Sequence, residues 1–232
     1  MMSLLKKQAI SRGDDQFFER LHKNFWQGEG GEIFSSNCDH RFQDLFLNQQ
    51  KEDFIVLQNL WRSSDLNRIV EFGCNSGLVL NYLTQNLEGV VHSQGIEINQ
   101  AQIDTNNASS RFDKRIQFYC ADGSDWLIGN GLPQTLFVSN GGVLEYFSRE
   151  RLDEMLTLIS NKLKPALFFA VEPVAPDHDW KTNKESVPFG EELSFSHNYV
   201  DLFESNGFKI VHQRATDFES WRMMATIATT SN

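Results

Sequence analysis

The chain has little that would place it in a membrane or staple it with disulfides. No apolar run in its 232 residues approaches the roughly 20 needed to span a bilayer. The opening residues, MMSLLKKQAISRGDD, lack the apolar stretch of a secretory signal. Cysteine is scarce: Cys38, Cys74 and Cys120 are odd in number and widely spaced. They form neither a CxxC pair nor a disulfide framework, which suits a reducing compartment. A cytoplasmic location is the expectation, with Cys74 and Cys120 buried as small apolar side chains. Positive charge is also short, with 21 Lys and Arg against 31 Asp and Glu, a net charge of −10. No basic run marks a surface for nucleic acid, whose binding relies on cations that neutralise phosphates. Internal repeats and low-complexity segments are absent.

What is present is a soluble composition, 40% hydrophobic and 22% charged, that changes pattern near residue 64. Residues 1–63 read as a helical extension and lid. A short amphipathic helix over 16–23 is followed by the glycine-rich FWQGEGGEIF and by a longer helical stretch carrying Phe42, Leu45, Phe54 and Leu57. Residues 64–232 read as one globular unit. Strands are expected at 68–72, 90–97, 115–120, 134–139 and 165–172, and helices at 77–85, 99–109, 149–163 and 198–206. Strands alternating with helices imply parallel βαβ units. FKIVHQRA and WRMMATIAT read as a closing antiparallel hairpin, and 173–194 as an irregular insertion over the sheet edge. The fold class expected is α/β, with about seven strands, mostly parallel, and an antiparallel C-terminal edge.

The stretch RIVEFGCNSGLVLNYL, residues 68–83, reads as a buried strand, a tight turn and a helix. In an open α/β sheet such a turn lies where ligands bind, and the helix start offers free N–H groups. A dinucleotide fingerprint needs G-x-G-x-x-G. Here the three positions are Gly73, Asn75 and Leu78, so that pattern fails. Glu71 followed by Gly73-x-Asn75-x-Gly77 instead resembles the first motif of class I S-adenosylmethionine-dependent methyltransferases, a Rossmann-like family. Asparagine tolerates left-handed backbone better than most residues, so Asn75 need not spoil the loop.

The later motifs follow in the order of that family. QGIEINQAQI ends a strand with Glu97, whose two oxygens could take both ribose hydroxyls, and Ile98 could lie on the adenine. In FYCADGSDW the resemblance implies an adenine contact at Asp122, with Asp125 the second choice and Ala121 and Gly123 shaping the pocket. LFVSNGGVLEY resembles the fourth motif, with Ser139, Asn140 and Gly141 beside the methyl-donor sulfur; Thr135 stands where many members have Asp. Glu71 and Cys74 complete the expected cofactor site. Weaker likenesses, in FWQGEGGEIF and ELSFSHNYVDLFESNGF, are to methyltransferases of sugar biosynthesis.

The resemblance implies S-adenosylmethionine as cofactor and a small-molecule acceptor, with a sugar hydroxyl the leading candidate. A non-catalytic S-adenosylmethionine-binding subunit, or transfer to nitrogen, carbon or a protein, is the alternative. An acceptor hydroxyl needs a base. His197 is the candidate, with Glu172 or Glu145 orienting the substrate. Phe25 and Trp26 could cover the site or simply pack in the core. His178, between Asp177 and Asp179, reads as a loop residue, and no metal is expected.

Overall fold

The structure, a computed structural model, describes residues 14–28, 31, 38–190, 194–218 and 221–230. The main sheet has seven strands in the order β3-β2-β1-β4-β5-β9-β8. They are β1 (Arg68–Phe72), β2 (His92–Glu97), β3 (Ile116–Cys120), β4 (Thr135–Asn140), β5 (Ala166–Val174), β8 (Phe208–Asp217) and β9 (Arg222–Thr230). The first five pair in parallel, while β9 runs antiparallel to both β5 and β8. All nine residues of β5 are buried, as expected of a strand covered on both faces. The chain order reverses between β1 and β4, which places the switch point at the loops following those two strands.

Two apolar layers flank the sheet. One contains Leu57 and Trp61 of α3 (Lys51–Arg62), Leu80 and Leu83 of α4 (Leu78–Asn86), and Ile103 of α5 (Gln100–Ala108). The other contains Trp126 and Leu127 of α6 (Gly123–Asn130), Leu152 and Ile159 of α7 (Arg149–Lys162), and Leu202 of α8 (Tyr199–Ser205). Before them come α1 (Asp15–Gln27) and the short α2 (Cys38–Arg41), which runs into a π-helical stretch over Phe42–Asn48.

The strands and helices expected from periodicity are present to within a few residues. Two elements were not expected. The first is α6, whose GSDWLIGN sequence is poor in helix formers. It forms because Asp122 caps it, accepting from the N–H groups of Ser124 (3.0 Å) and Asp125 (3.3 Å), while Trp126 and Leu127 are buried. The second is a hairpin of β6 (Val187–Phe189) and β7 (Ser194–Ser196), so the insertion read as irregular is partly a second, two-stranded sheet. Cys74 is buried, but Cys120 is exposed, contrary to the expectation for it, because it ends the edge strand β3. Among the described residues no helix is long and apolar enough to cross a membrane.

Candidate active site

The loop after β1 holds three left-handed backbone positions, Gly73 (φ 63°), Asn75 (φ 41°) and Gly77 (φ 71°). Glycine at the first is required twice over, since a Cβ there would also lie 2.6 Å from Val143 Cγ2. Asn75 is held from several sides. Its N–H donates to Glu97 Oε2 (3.0 Å), its carbonyl accepts from Asn106 Nδ2 (2.7 Å), and its Oδ1 accepts from the Cys38 thiol (2.9 Å). The asparagine thus occupies the bend and also ties the N-terminal helices to the loop. Glu97 Oε1 accepts from the N–H groups of Ile98 (2.7 Å) and Asn99 (3.0 Å). Burial raises the pKa of this carboxyl, and the backbone hydrogen bonds oppose the shift.

Two adjoining cavities open over the carboxyl ends of the strands. The smaller, about 290 Å³, is lined by Glu97, Ile98, Ala121, Asp122 and Gly123. The larger, about 710 Å³, is lined by Glu71, Cys74 and Glu145. Gly73, Asn75, Asn140 and Gly141 border both. The sequence therefore named much of the wall of each.

Of the first choices for cofactor and catalysis, Gly77, Ser139, Glu172 and His197 line neither cavity. A Cβ on Gly77 would lie 2.7 Å from the Phe118 ring, so its smallness serves packing rather than ligand approach. Glu172 is fully buried and accepts from the N–H groups of Val143 (2.9 Å) and Leu144 (3.0 Å), which holds the loop after β4. Burial pushes its pKa up to about 7, against the Ser139 hydroxyl and these N–H groups, which favour the charged form. His197 is also fully buried. Its Nδ1 pairs with Ser186 Oγ (2.7 Å) and its Nε2 with the Phe147 carbonyl (3.1 Å). Burial lowers its pKa to about 3. With both ring nitrogens paired and its side chain on neither cavity wall, His197 does not stand where an acceptor proton can be taken.

Glu71 is 2% exposed, and burial raises its pKa well above the usual carboxylate range. Its Oε2 has no hydrogen-bond partner among the described residues, although the residue lines the larger cavity. Asp122 is more committed than expected. Besides capping α6, it meets Lys23 Nζ at 3.2 Å and Arg151 Nη2 at 2.8 Å. Asp125 is mostly exposed and pairs with Arg151 at 3.0 Å. Of the two N-terminal aromatics, Trp26 borders both cavities while Phe25 is 52% exposed, neither over the site nor in the core.

Other wall residues escaped the sequence reading. Glu19 and Lys23 of α1 line the smaller cavity beside Trp26, which the sequence had already offered as a cover, and the spacing of the three puts them on one helix face. Arg41, Phe189 and Trp221 line the larger. They come from separate elements with no shared spacing to betray them. His178 is buried, its Nδ1 2.7 Å from Ser196 Oγ, while Asp179 bonds to Thr182 Oγ1 at 2.6 Å. Among the described residues no group of three or more His, Cys, Asp or Glu could hold a metal ion.

Neither a family model nor any curated protein matches the chain. Solved structures do match. Magnesium protoporphyrin IX methyltransferase from Synechocystis PCC 6803, with bound S-adenosylmethionine, superposes at a TM-score of 0.62 and 14% identity, over 92% of this chain and 97% of that one. The chain has the class I S-adenosylmethionine-dependent methyltransferase fold. An S-adenosylmethionine-dependent methyltransferase from Leishmania major is similar at a TM-score of 0.62 and 13% identity, over 91% of this chain and 83% of that one. Another, from Clostridium acetobutylicum ATCC 824, has a TM-score of 0.60 and 10% identity, over 86% of this chain and all of that one (100%).

Within this methyltransferase fold the residues present fit the cofactor. The unpartnered Glu71 oxygen faces the need of an ammonium group. Gly141, at φ 84°, borders both cavities and would place a Cβ with nothing within 4 Å.

Proposed function

We propose that the protein is an S-adenosylmethionine-dependent methyltransferase acting on a small-molecule acceptor, with a hydroxyl as the group methylated. The observation that carries this reading is the pair of cavities meeting at Gly73, Asn75, Asn140 and Gly141, over the carboxyl ends of β1 and β4. Buried acids stand on both walls, Glu97 on the smaller and Glu71 and Glu145 on the larger. A donor lying across that border, its nucleoside end beside Glu97 and its amino-acid end beside Glu71, would meet an acceptor held in the rest of the larger cavity.

When bound, S-adenosylmethionine supplies a methyl group made electrophilic by a sulfonium. The chain's own residues bind and orient. Backbone N–H groups take about three of the four lone-pair sites of Glu97, and the one left on Oε2 can accept from a ribose hydroxyl. Ile98 and Ala121 offer apolar contact to a base. Asp122, gripped by Lys23 and Arg151, acts first by holding α1 and α7 around that end. The amino-acid end carries an ammonium and a carboxylate. Glu71 suits the first, and Arg41, the cation among the described residues of the larger cavity, suits the second. The N-terminal helices act as a lid, with Trp26 over the border and water excluded beneath it. Glu145, 7% exposed on the wall of the larger cavity, stands where an acceptor proton can be taken. The sugar suggested by the sequence finds no support in these walls.

Calorimetric titration tests the reading, with S-adenosylhomocysteine and 5′-methylthioadenosine, which lacks the amino-acid end, as ligands and NAD as control. Both adenosine compounds should bind and NAD should not. Glu71→Gln and Arg41→Gln should each weaken S-adenosylhomocysteine by about tenfold or more, as expected for a lost charge-assisted hydrogen bond, and leave 5′-methylthioadenosine unchanged. A chain that binds neither adenosine compound sinks the proposal.

A further inference from the structure

The larger cavity has two unlike halves. Its inner half is the loop after β1 with Glu71. Its outer half is walled by rings from elements far apart in the chain: Phe42 of the π-helical stretch, Phe189 of β6, Trp221 just before β9, and Trp26 and Tyr146 at the border with the smaller cavity. Other rings brace them. Trp221 stacks on Phe218 with centroids 4.2 Å apart and planes 5° apart. Phe42 stacks on Phe46 at 5.7 Å, and Trp26 and Tyr146 lie 5.3 Å apart. Rings already held in place lose little freedom when a ligand arrives and present flat apolar surface to it. Glu145 belongs to the same wall, its Oε1 close beside Gly142.

We infer that this outer half takes a planar, largely apolar acceptor, of the chemical class of a fused-ring phenol, and presents its hydroxyl to Glu145. The inference rests on the methyltransferase reading above and names its substrate class. A sugar carries a hydroxyl on nearly every carbon, and each one buried needs a hydrogen-bond partner. With Glu71 and Arg41 engaged by the cofactor, the polar side chains left on the described wall beside the face of five rings are Glu145 and Ser194, with Asn75, Ser76 and Asn140 nearer the strand ends. Flat rings bury well against such a face and need a partner only at the hydroxyl. In the transfer, the hydroxyl proton passes to the Glu145 carboxylate. The oxygen lone pair forms the bond to the methyl carbon, and the carbon–sulfur bond breaks with its electron pair left on sulfur. The sulfonium becomes a neutral thioether and the acceptor a methyl ether.

The test uses the full chain saturated with S-adenosylhomocysteine, titrated calorimetrically with 2-naphthol and with methyl α-glucoside. The naphthol should bind at least about tenfold more tightly. Trp221→Leu and, separately, Phe189→Leu should weaken naphthol by about tenfold while S-adenosylhomocysteine stays within about twofold, which also reports that each variant is folded. With S-adenosylmethionine, 2-methoxynaphthalene should form. Glu145→Gln should bind naphthol yet lose that product. Glucoside binding as tight as naphthol, or naphthol affinity untouched by both leucine variants, overturns the acceptor class. Undiminished product from Glu145→Gln overturns the role of Glu145. If S-adenosylhomocysteine does not bind at all, the function proposed above falls, and the same comparison of naphthol with glucoside on the bare chain still decides the chemistry of the outer half.

Discussion

Glu172 and His197 are both fully buried, and burial moves their pKa values in opposite directions, because it disfavours the charged form of each. Glu172 rises from 4.5 to about 7. Between those values the native state holds a proton that the unfolded chain has lost, so its contribution to stability is present below pH 4.5 and is lost as the pH rises through 7. His197 falls from 6.5 to about 3. There the unfolded chain binds the extra proton, so stability grows as the pH rises from 3 to 6.5. The two slopes oppose each other across pH 4.5–6.5. Glu172→Gln should remove one of them, and the variant should gain on the wild type by about 3 kcal/mol between pH 4.5 and 7.5. Chemical denaturation at those two pH values checks this. Equal slopes for the two proteins would mean that Glu172 does not titrate as burial requires. Asn75 shows a different residue-scale effect, where one side chain serves both the left-handed bend and the tie to Cys38.

At the scale of elements, Asp122 joins three helices. It caps α6, and it meets Lys23 of α1 and Arg151 of α7. The side chains of Lys23 and Arg151 are 38% and 24% exposed, so solvent screens both pairs and most of the stabilisation lies in the cap. Asp122→Ala should cost about 1–2 kcal/mol, read from the denaturant midpoint. Asp122→Asn keeps an acceptor for the helix N–H groups and should recover most of that loss. If both variants are equally destabilised, the ion pairs matter more than the cap. The π-helical stretch over Phe42–Asn48 belongs to the same scale. Such segments often mark functional sites, and this one carries Phe42 and Leu45 into the wall of the larger cavity.

For the molecule as a whole, the question is what secures the N-terminal helices to the sheet. Apolar packing of Leu57 and Trp61 contributes, and a polar tie joins it. Asp53 of α3, fully buried, accepts from Arg214 Nε (3.0 Å) and meets His212 Nε2 at 2.7 Å, both on β8. Removing the acid would leave the guanidinium facing a site built for a carboxylate. Asp53→Ala should therefore cost about 3 kcal/mol, with the midpoint lowered and the denaturant slope unchanged. A loss below about 0.5 kcal/mol, the range of surface substitutions, would show that packing alone secures these helices.

What the amino-acid order determined unaided was local and periodic. The apolar run into Gly73-x-Asn75-x-Gly77 dictates a buried strand, a left-handed turn and a helix, because those preferences act between near neighbours. Repeated strand–helix alternation then leaves few topologies open, and the seven-stranded sheet follows. Glu97 and Asp122 could be placed on a cavity wall because strand ends in such a sheet converge on one edge. Tertiary structure alone decided the rest. His197 looked like a base until the hairpin and the loop after β4 closed over it, and no local pattern reports what will be packed on top of a side chain. Glu172 was expected at the substrate and instead holds a loop, since only the folded register brings it to the N–H groups of Val143 and Leu144. The aromatic wall around Phe42, Phe189 and Trp221 was illegible for the same reason. Its members lie far apart in the chain, and their common face exists only once the sheet has brought their elements together.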